Sequence, residues 1–254
     1  TTSGLVQSQA AMAISLGGQN QGSRGARFLR LRQALHDARV LLKDGEAFRR
    51  NQLRRLSAGA MDLKALGPAL KGDIPLLVRV NRRSDIEAIL RIADEEKLRI
   101  ILVGAQEAWQ VASQLAARQV PVILDPSANL PHSFDAINTR ADSPRLLLDA
   151  GVNIALSTMS AHHVRKLRQW AGNAVREGLT KQEALRAVTS APAQMLGLKA
   201  RGQLAAGMIG DVVIWGGDPF EFSTQIEAVY IGGEAQDLRN RQIELFERYR
   251  NMPP

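Results

Sequence analysis

Four short, almost wholly apolar runs set the architecture: PLLVRV (75–80), LRIILVG (98–104), VPVILD (120–125) and VNIALST (152–158). Each has the length of a strand, and apolar residues at consecutive positions mean burial on both faces. Between them lie segments with apolar residues at three- and four-residue steps, the period of a helix packed on one side. Ile86, Ile89, Leu90 and Ala93 form one such face, and Trp109, Ala112 and Leu115 form the next. Strands alternating with helices give a parallel sheet joined by right-handed crossovers, so the expected class is α/β.

Local signals place the boundaries. AAMAISL (10–16) reads as a fifth strand, followed by the Gly-rich loop GGQNQGSRG. This loop lacks the Lys-Ser/Thr ending of a phosphate-binding P-loop and reads as a turn before a helix. That helix carries Phe28, Leu31, Leu35, Ala38 and Leu42 on one side and ends near Gly45, with more helix expected through RRNQLRRL (49–56). Ser84 with Glu87, and Thr180 with Glu183, have the spacing of capping boxes. Ser143-Pro144 is read as an N-cap and first-turn pair, stopped by Gly151, and Gly197 closes the last of these helices. GDVVIW and AVYIGG read as two antiparallel strands before a terminal helix, QIELFERYR. The segment from Pro126 to Asp142 is a long loop expected to line a functional face. Trp109, Trp170 and Trp215 are expected to pack in the core or between domains.

Composition excludes several classes. With no cysteine there are no disulfides, thiolate metal sites or cysteine nucleophiles. No apolar run reaches bilayer-spanning length, and the opening TTSGLVQSQ carries no export signal and reads as a processed or cut end. The net charge of +8 is concentrated between Arg24 and Leu56, where ten basic residues face three acidic ones. No aromatic residues are interleaved for base stacking, so we read this segment as a solvated or partner-facing helix, and nucleic acid is not an expected partner.

The C-terminal part carries a more specific signature. EALRAVT (183–189), APAQMLGL (191–198), G-x-L-x-x-G (202–207), GDVVIW (210–215), GDP (217–219) and V-x-I-x-G (229–233) follow in one order. This resembles the ending of the metal-dependent amidohydrolase superfamily, in its imidazolonepropionase-like or periplasmic amidohydrolase subgroup. The resemblance implies a partial TIM-like (β/α)8 barrel over residues 1–200, C-terminal strands of a small β-sandwich domain over 201–236, and a tail over 237–254. A closed barrel needs eight strands, and only five precede the C-terminal pair. The chain therefore corresponds to the later two-thirds of such a protein and is expected to be a fragment, or one component completed by another chain. The subgroup's usual export implies the periplasm, with the cytoplasm as the alternative.

In that family one or two divalent metals, held by histidines and an aspartate at strand ends, activate a water to hydrolyse C–N bonds. A first-strand His-x-His pair is absent here. The residues at the later family positions are Arg79 and Asn81 for two histidines, Gly104 where many amidohydrolases have the next one though this subgroup often has glycine, and Met159 for the aspartate. Arg82, Asp85 and Ile86 keep the family pattern; His162 keeps it and His163 departs from it. A thioether neither takes a proton nor binds a hard divalent ion well. The candidate pocket is therefore Arg79, Asn81, Arg82, Asp125, His162 and His163, with no metal ligand and no cofactor expected. Asp125 is read mainly as a cap on the turn into Pro126-Ser127. Arginine at a former histidine position points to a small anionic ligand. His132 and His36 are read as surface residues. The expected function is that of an inactive amidohydrolase-like binding or partner subunit, beside an active relative or as a homo-oligomer. The alternative is a hydrolase of amide, cyclic amide or peptide-like bonds, with zinc or another divalent metal, completed by a missing segment or second chain.

Overall fold

The computed structural model describes residues 7, 9–17, 22–50, 52, 54–131, 133–239 and 241–250. Five strands form one parallel sheet in sequence order: β1 (Met12–Ser15), β2 (Leu76–Val80), β3 (Ile100–Gly104), β4 (Val122–Leu124) and β5 (Ile154–Leu156). Sequential order without a switch is the arrangement of strands curling into a barrel. Among the described residues, β1 pairs only with β2 and β5 only with β4, so both edges are open.

Alternate residues divide the sheet into two faces. Leu76, Val78, Val80, Leu102, Val122 and Ile154 point to one face and are almost fully buried. They share a single core with α1 (Arg24–Lys43) through Leu35 and with α5 (Arg83–Glu96) through Ile86, Ile89 and Leu90. The same core takes Leu115 of α6 (Ala112–Ala117), Leu147 of α7 (Ser143–Asp149), and alanines of α8 (Leu167–Arg176) and α9 (Lys181–Val188). On the opposite face Ile101 and Ala155 meet Ala191 and Met195 of the short α10 (Ser190–Met195), with Leu77 and Ile123 half-buried beside them.

The basic segment is matched mostly within the fold. Arg32 pairs with Glu95, and Arg39 reaches Glu96 at 2.9 Å, tying α1 to α5. The helix expected through RRNQLRRL does not extend that far. α2 (Gly45–Arg49) stops, and residues 54–56 are non-helical, while residues 51 and 53 lie outside the described set. The fully buried Asp37 of α1 explains this: it accepts the Ser57 N–H at 2.7 Å and pairs with Arg54, holding the chain extended.

The capping box at Thr180 forms, with Glu183 N–H donating to the Thr180 hydroxyl at 3.2 Å and Glu183 accepting from Thr180 N–H at 2.8 Å. The one expected at Ser84 does not. α5 starts two residues earlier, after Arg82, and its first N–H, from Arg83, is taken by the buried Glu107 carboxylate at 2.8 Å. Glu87 pairs with Arg83 instead. α7 likewise begins one residue earlier than read, with Asp142 as its cap and Ser143 already helical.

A second, antiparallel sheet follows: β6 (Val212–Trp215), β7 (Ile226–Ile231) and β8 (Glu234–Ala235). Arg168 of α8 anchors it, donating to Thr224 O at 3.0 Å and Phe222 O at 2.8 Å, with its guanidinium 5.0 Å from the centre of the Trp215 ring. Val213, Ile214, Ile226 and Ile231 are exposed on this sheet, and the terminal α11 (Arg241–Arg250) buries no residue.

Candidate functional site

Parallel strands bring their C-terminal ends to one rim, where loops converge. The rim at β2 and β3 is built closely. The ladder continues past Val80, with Ala105 N–H donating to Val80 O at 2.7 Å and Glu107 N–H to Asn81 O at 2.9 Å. Gly104 has φ +83, and a Cβ there would lie 2.7 Å from Asn81 Oδ1. Glycine at this position therefore serves the Asn81 side chain by leaving it room.

Arg79 lies on the face of Leu77, the face away from the main core, and is exposed. Its guanidinium has no ion-pair or hydrogen-bond partner among the described residues, and neither has the Asn81 amide. Arg82 stands half-buried just before α5.

The carboxylates at this rim are already engaged. Asp125 Oδ1 accepts Ser127 N–H at 2.9 Å, Ser127 Oγ–H at 2.6 Å and the Trp170 indole N–H at 2.6 Å. It caps the turn as read and also ties β4 to α8. Glu107 holds Arg83 N–H and the Asn138 amide, the latter at 3.1 Å. Asp85 is buried and bound by Arg24, which also grips Asp135 of the long loop. Burial pushes the Asp85 pKa up, and Arg24 only partly offsets it.

Those contacts tie Asp135 and Asn138 of the segment from Pro126 to Asp142 to Arg24 and Glu107. Trp109 takes part: half-buried rather than inward, it donates to Asn138 O at 2.9 Å, and Arg140 sits 4.9 Å over its ring. Sequence reasoning missed Arg24, Glu107 and Asp135. Arg24 and Asp135 stand 61 and 111 residues from their partners at Asp85 and Arg24, beyond any local pattern.

His162 and His163 are exposed in a 3₁₀ turn, Ala161–Lys166. The His163 ring is 6.1 Å from that of Trp170, and Lys166 Nζ stands 5.5 Å over the same indole. Met159 has φ +51 and donates its N–H to Ser157 Oγ at 3.1 Å. His36 is exposed on α1, and His132 lies outside the described residues. Thus Asp125 and His163 are linked through Trp170, while Arg79 lies near the end of β2 and Asn81 directly after it. Among the described residues no three His, Cys, Asp or Glu side chains stand close enough to hold a metal ion. The rim positions bear a guanidinium, a carboxamide and a thioether, and the carboxylates beside them, Asp85, Glu107 and Asp125, already accept hydrogen bonds from other groups.

Comparison with known proteins shows what this geometry is similar to. The model of the amidohydrolase family matches residues 145–235. Amidohydrolase tasK of Hapsidospora irregularis is 28% identical over 182 residues, which is 69% of this chain and 19% of that protein. An amidohydrolase from Thermotoga maritima MSB8 superposes with a TM-score of 0.82 at 23% identity, over 92% of this chain and 64% of that one. A prolidase complexed with N-methylphosphonate-L-proline superposes with a TM-score of 0.55 at 16% identity, over 67% of this chain and 47% of its own. The chain thus spans less than two thirds of each of these proteins. No helix among the described residues is long and apolar enough to cross a membrane. The C-terminal part thus resembles the amidohydrolase family in sequence, and nearly the whole chain shares its fold with an amidohydrolase of known structure.

Proposed function

We propose that this amidohydrolase-like chain acts by binding, as a non-hydrolytic subunit completed by a second polypeptide. One observation carries the reading: the strand-end positions that would hold a metal bear Arg79, Asn81, Gly104 and Met159. Water activation needs imidazole or carboxylate ligands on the ion and a base beside it. A guanidinium supplies the opposite charge, and a thioether supplies neither ligand nor base. Asp125 has one oxygen committed to three donors, so it too is a structural carboxylate.

The partner part of the reading rests on the two open edges. A parallel edge presents unpaired N–H and C=O groups, and proteins cover or pair such edges. Further βα units laid against β1 and β5 would pair both edges.

Native mass spectrometry of the protein isolated from its source tests this. The expected result is a stable complex in which a second polypeptide accompanies the chain. A species consisting of this chain alone, at concentrations where the complex should persist, would overturn the proposal.

A further inference from the structure

The inward face of the five-stranded sheet carries a single charge. Register places Ser15, Arg79, Val103, Ile123 and Ala155 in one row, with Ala13, Leu77 and Ile101 in the row below. Arg79 is the one ionisable residue among these eight. We infer that Arg79 and Asn81 form a fork for the carboxylate of a small ligand whose apolar part lies against Leu77, Val103 and Ile123. This deepens the binding reading above and rests on it.

Three observations converge. First, Arg24, Arg27 and Arg83 are engaged elsewhere: Arg24 with Asp85 and Asp135, Arg27 with Leu16 O at 2.7 Å, and Arg83 with Glu87 at 2.9 Å. Arg79, by contrast, has its five donors free among the described residues, in a planar array suited to a carboxylate. Second, Asn81 follows directly after β2, two residues on from Arg79, about 6.6 Å along an extended chain and within an arginine's reach. Its amide has no partner among the described residues, and the missing Cβ of Gly104 gives it space. Third, the carboxylates of this rim, Asp85, Glu107 and Asp125, are tied to other groups, so none competes for Arg79.

The charge selects an anion, and the surroundings select its kind. Below the fork the wall is half-buried and apolar, which favours an anion with a hydrocarbon body over a fully hydrated one such as phosphate. Arg82 adds positive potential at the same strand end.

Hexanoate, its neutral amide hexanamide, and inorganic phosphate are the probes, titrated by calorimetry into the intact protein. Saturable hexanoate binding is expected, with much weaker binding of the other two. Arg79→Ala should weaken hexanoate by about tenfold or more, the scale of a lost charge-assisted hydrogen bond. Arg79→Lys should fall between, since the charge stays and the fork goes. Arg99→Ala, at an exposed arginine before β3, should leave binding unchanged. Hexanoate binding that is absent, matched by hexanamide, exceeded by phosphate, or untouched by Arg79→Ala would overturn the fork. The two proposals fail separately: zinc-loaded protein that binds hexanoate through Arg79 would sink the non-hydrolytic reading alone, and metal-free protein indifferent to hexanoate would sink the fork alone.

Discussion

The two faces of the parallel sheet are built by different means. The outer face is sealed by helices of the segments that follow the strands, and its residues are nearly all excluded from solvent. The inner face is covered only in part, by Ala191 and Met195 of one six-residue helix, and leaves Arg79 open. The contrast teaches that local βα crossovers stabilise one side of such a sheet unaided, while the other depends on groups distant in the chain or outside it.

Adjacent leucines on β2 test this contrast with the largest effects. Leu76→Ala removes a side chain 1% exposed in the main core and should cost about 2–5 kcal/mol in urea unfolding. Leu77→Ala, at a half-buried inner position, should cost about 1 kcal/mol or less in the isolated protein. Equal losses would mean that the inner face is packed as tightly as the outer. A larger Leu77→Ala penalty in the complex than in the isolated protein would show that a partner covers it.

Next in size is Asp125→Ala. It strips the Trp170 indole of its acceptor and frees the turn at Ser127, which should cost about 1–3 kcal/mol. Because Asp125 is placed as a structural carboxylate, Asp125→Asn should recover much of that loss through its remaining carbonyl acceptor. A variant that keeps full stability would show that the carboxylate is free for chemistry. On the outer layer, Thr180→Ala removes one capping box and should cost about 1 kcal/mol, read as a fall in melting temperature.

The smallest effects concern two buried aspartates with opposite pH behaviour. Burial opposes ionisation of Asp37, but the Ser57 N–H and Arg54 outweigh it, so its pKa lies below the ordinary carboxylate value. Its stabilising contribution is present above the unfolded value of about 3.9 and is lost as pH falls through the lower folded value. Burial raises Asp85 above its ordinary value despite Arg24. There the folded state holds the proton more tightly, so stability declines as pH rises from the unfolded value through the folded one. Urea midpoints across the acid range should therefore depend less on pH below about 4 in Asp37→Asn. In Asp85→Asn the decline above about 4 should disappear. A matching change in both variants would contradict the different placements of the two carboxylates.

Much of this fold could be read locally. Apolar runs mark every strand of the parallel sheet, and the Thr180–Glu183 spacing encodes a cap completed within one helical turn. Where a distant group intervenes, the local signal fails. Ser84 and Glu87 have the same spacing, yet Glu107 claims the start of α5; RRNQLRRL looks helical, yet Asp37 holds its end extended. At the site, the role of Asp125 in its own turn is legible from Asp-Pro-Ser, while its bond to Trp170 spans 45 residues and is not. The triad of Arg24, Asp85 and Asp135 has no sequence signature, because tertiary structure alone brings its members together.

Zinc stoichiometry tests the central claim most directly. The protein, dialysed against chelator and then against zinc, would be passed through a desalting column and its metal content counted. The account predicts no retained zinc, in wild type and in His162→Ala alike. One or two zinc ions held per chain, and lost in His162→Ala or Asn81→Ala, would contradict it and return this rim to metal-assisted hydrolysis.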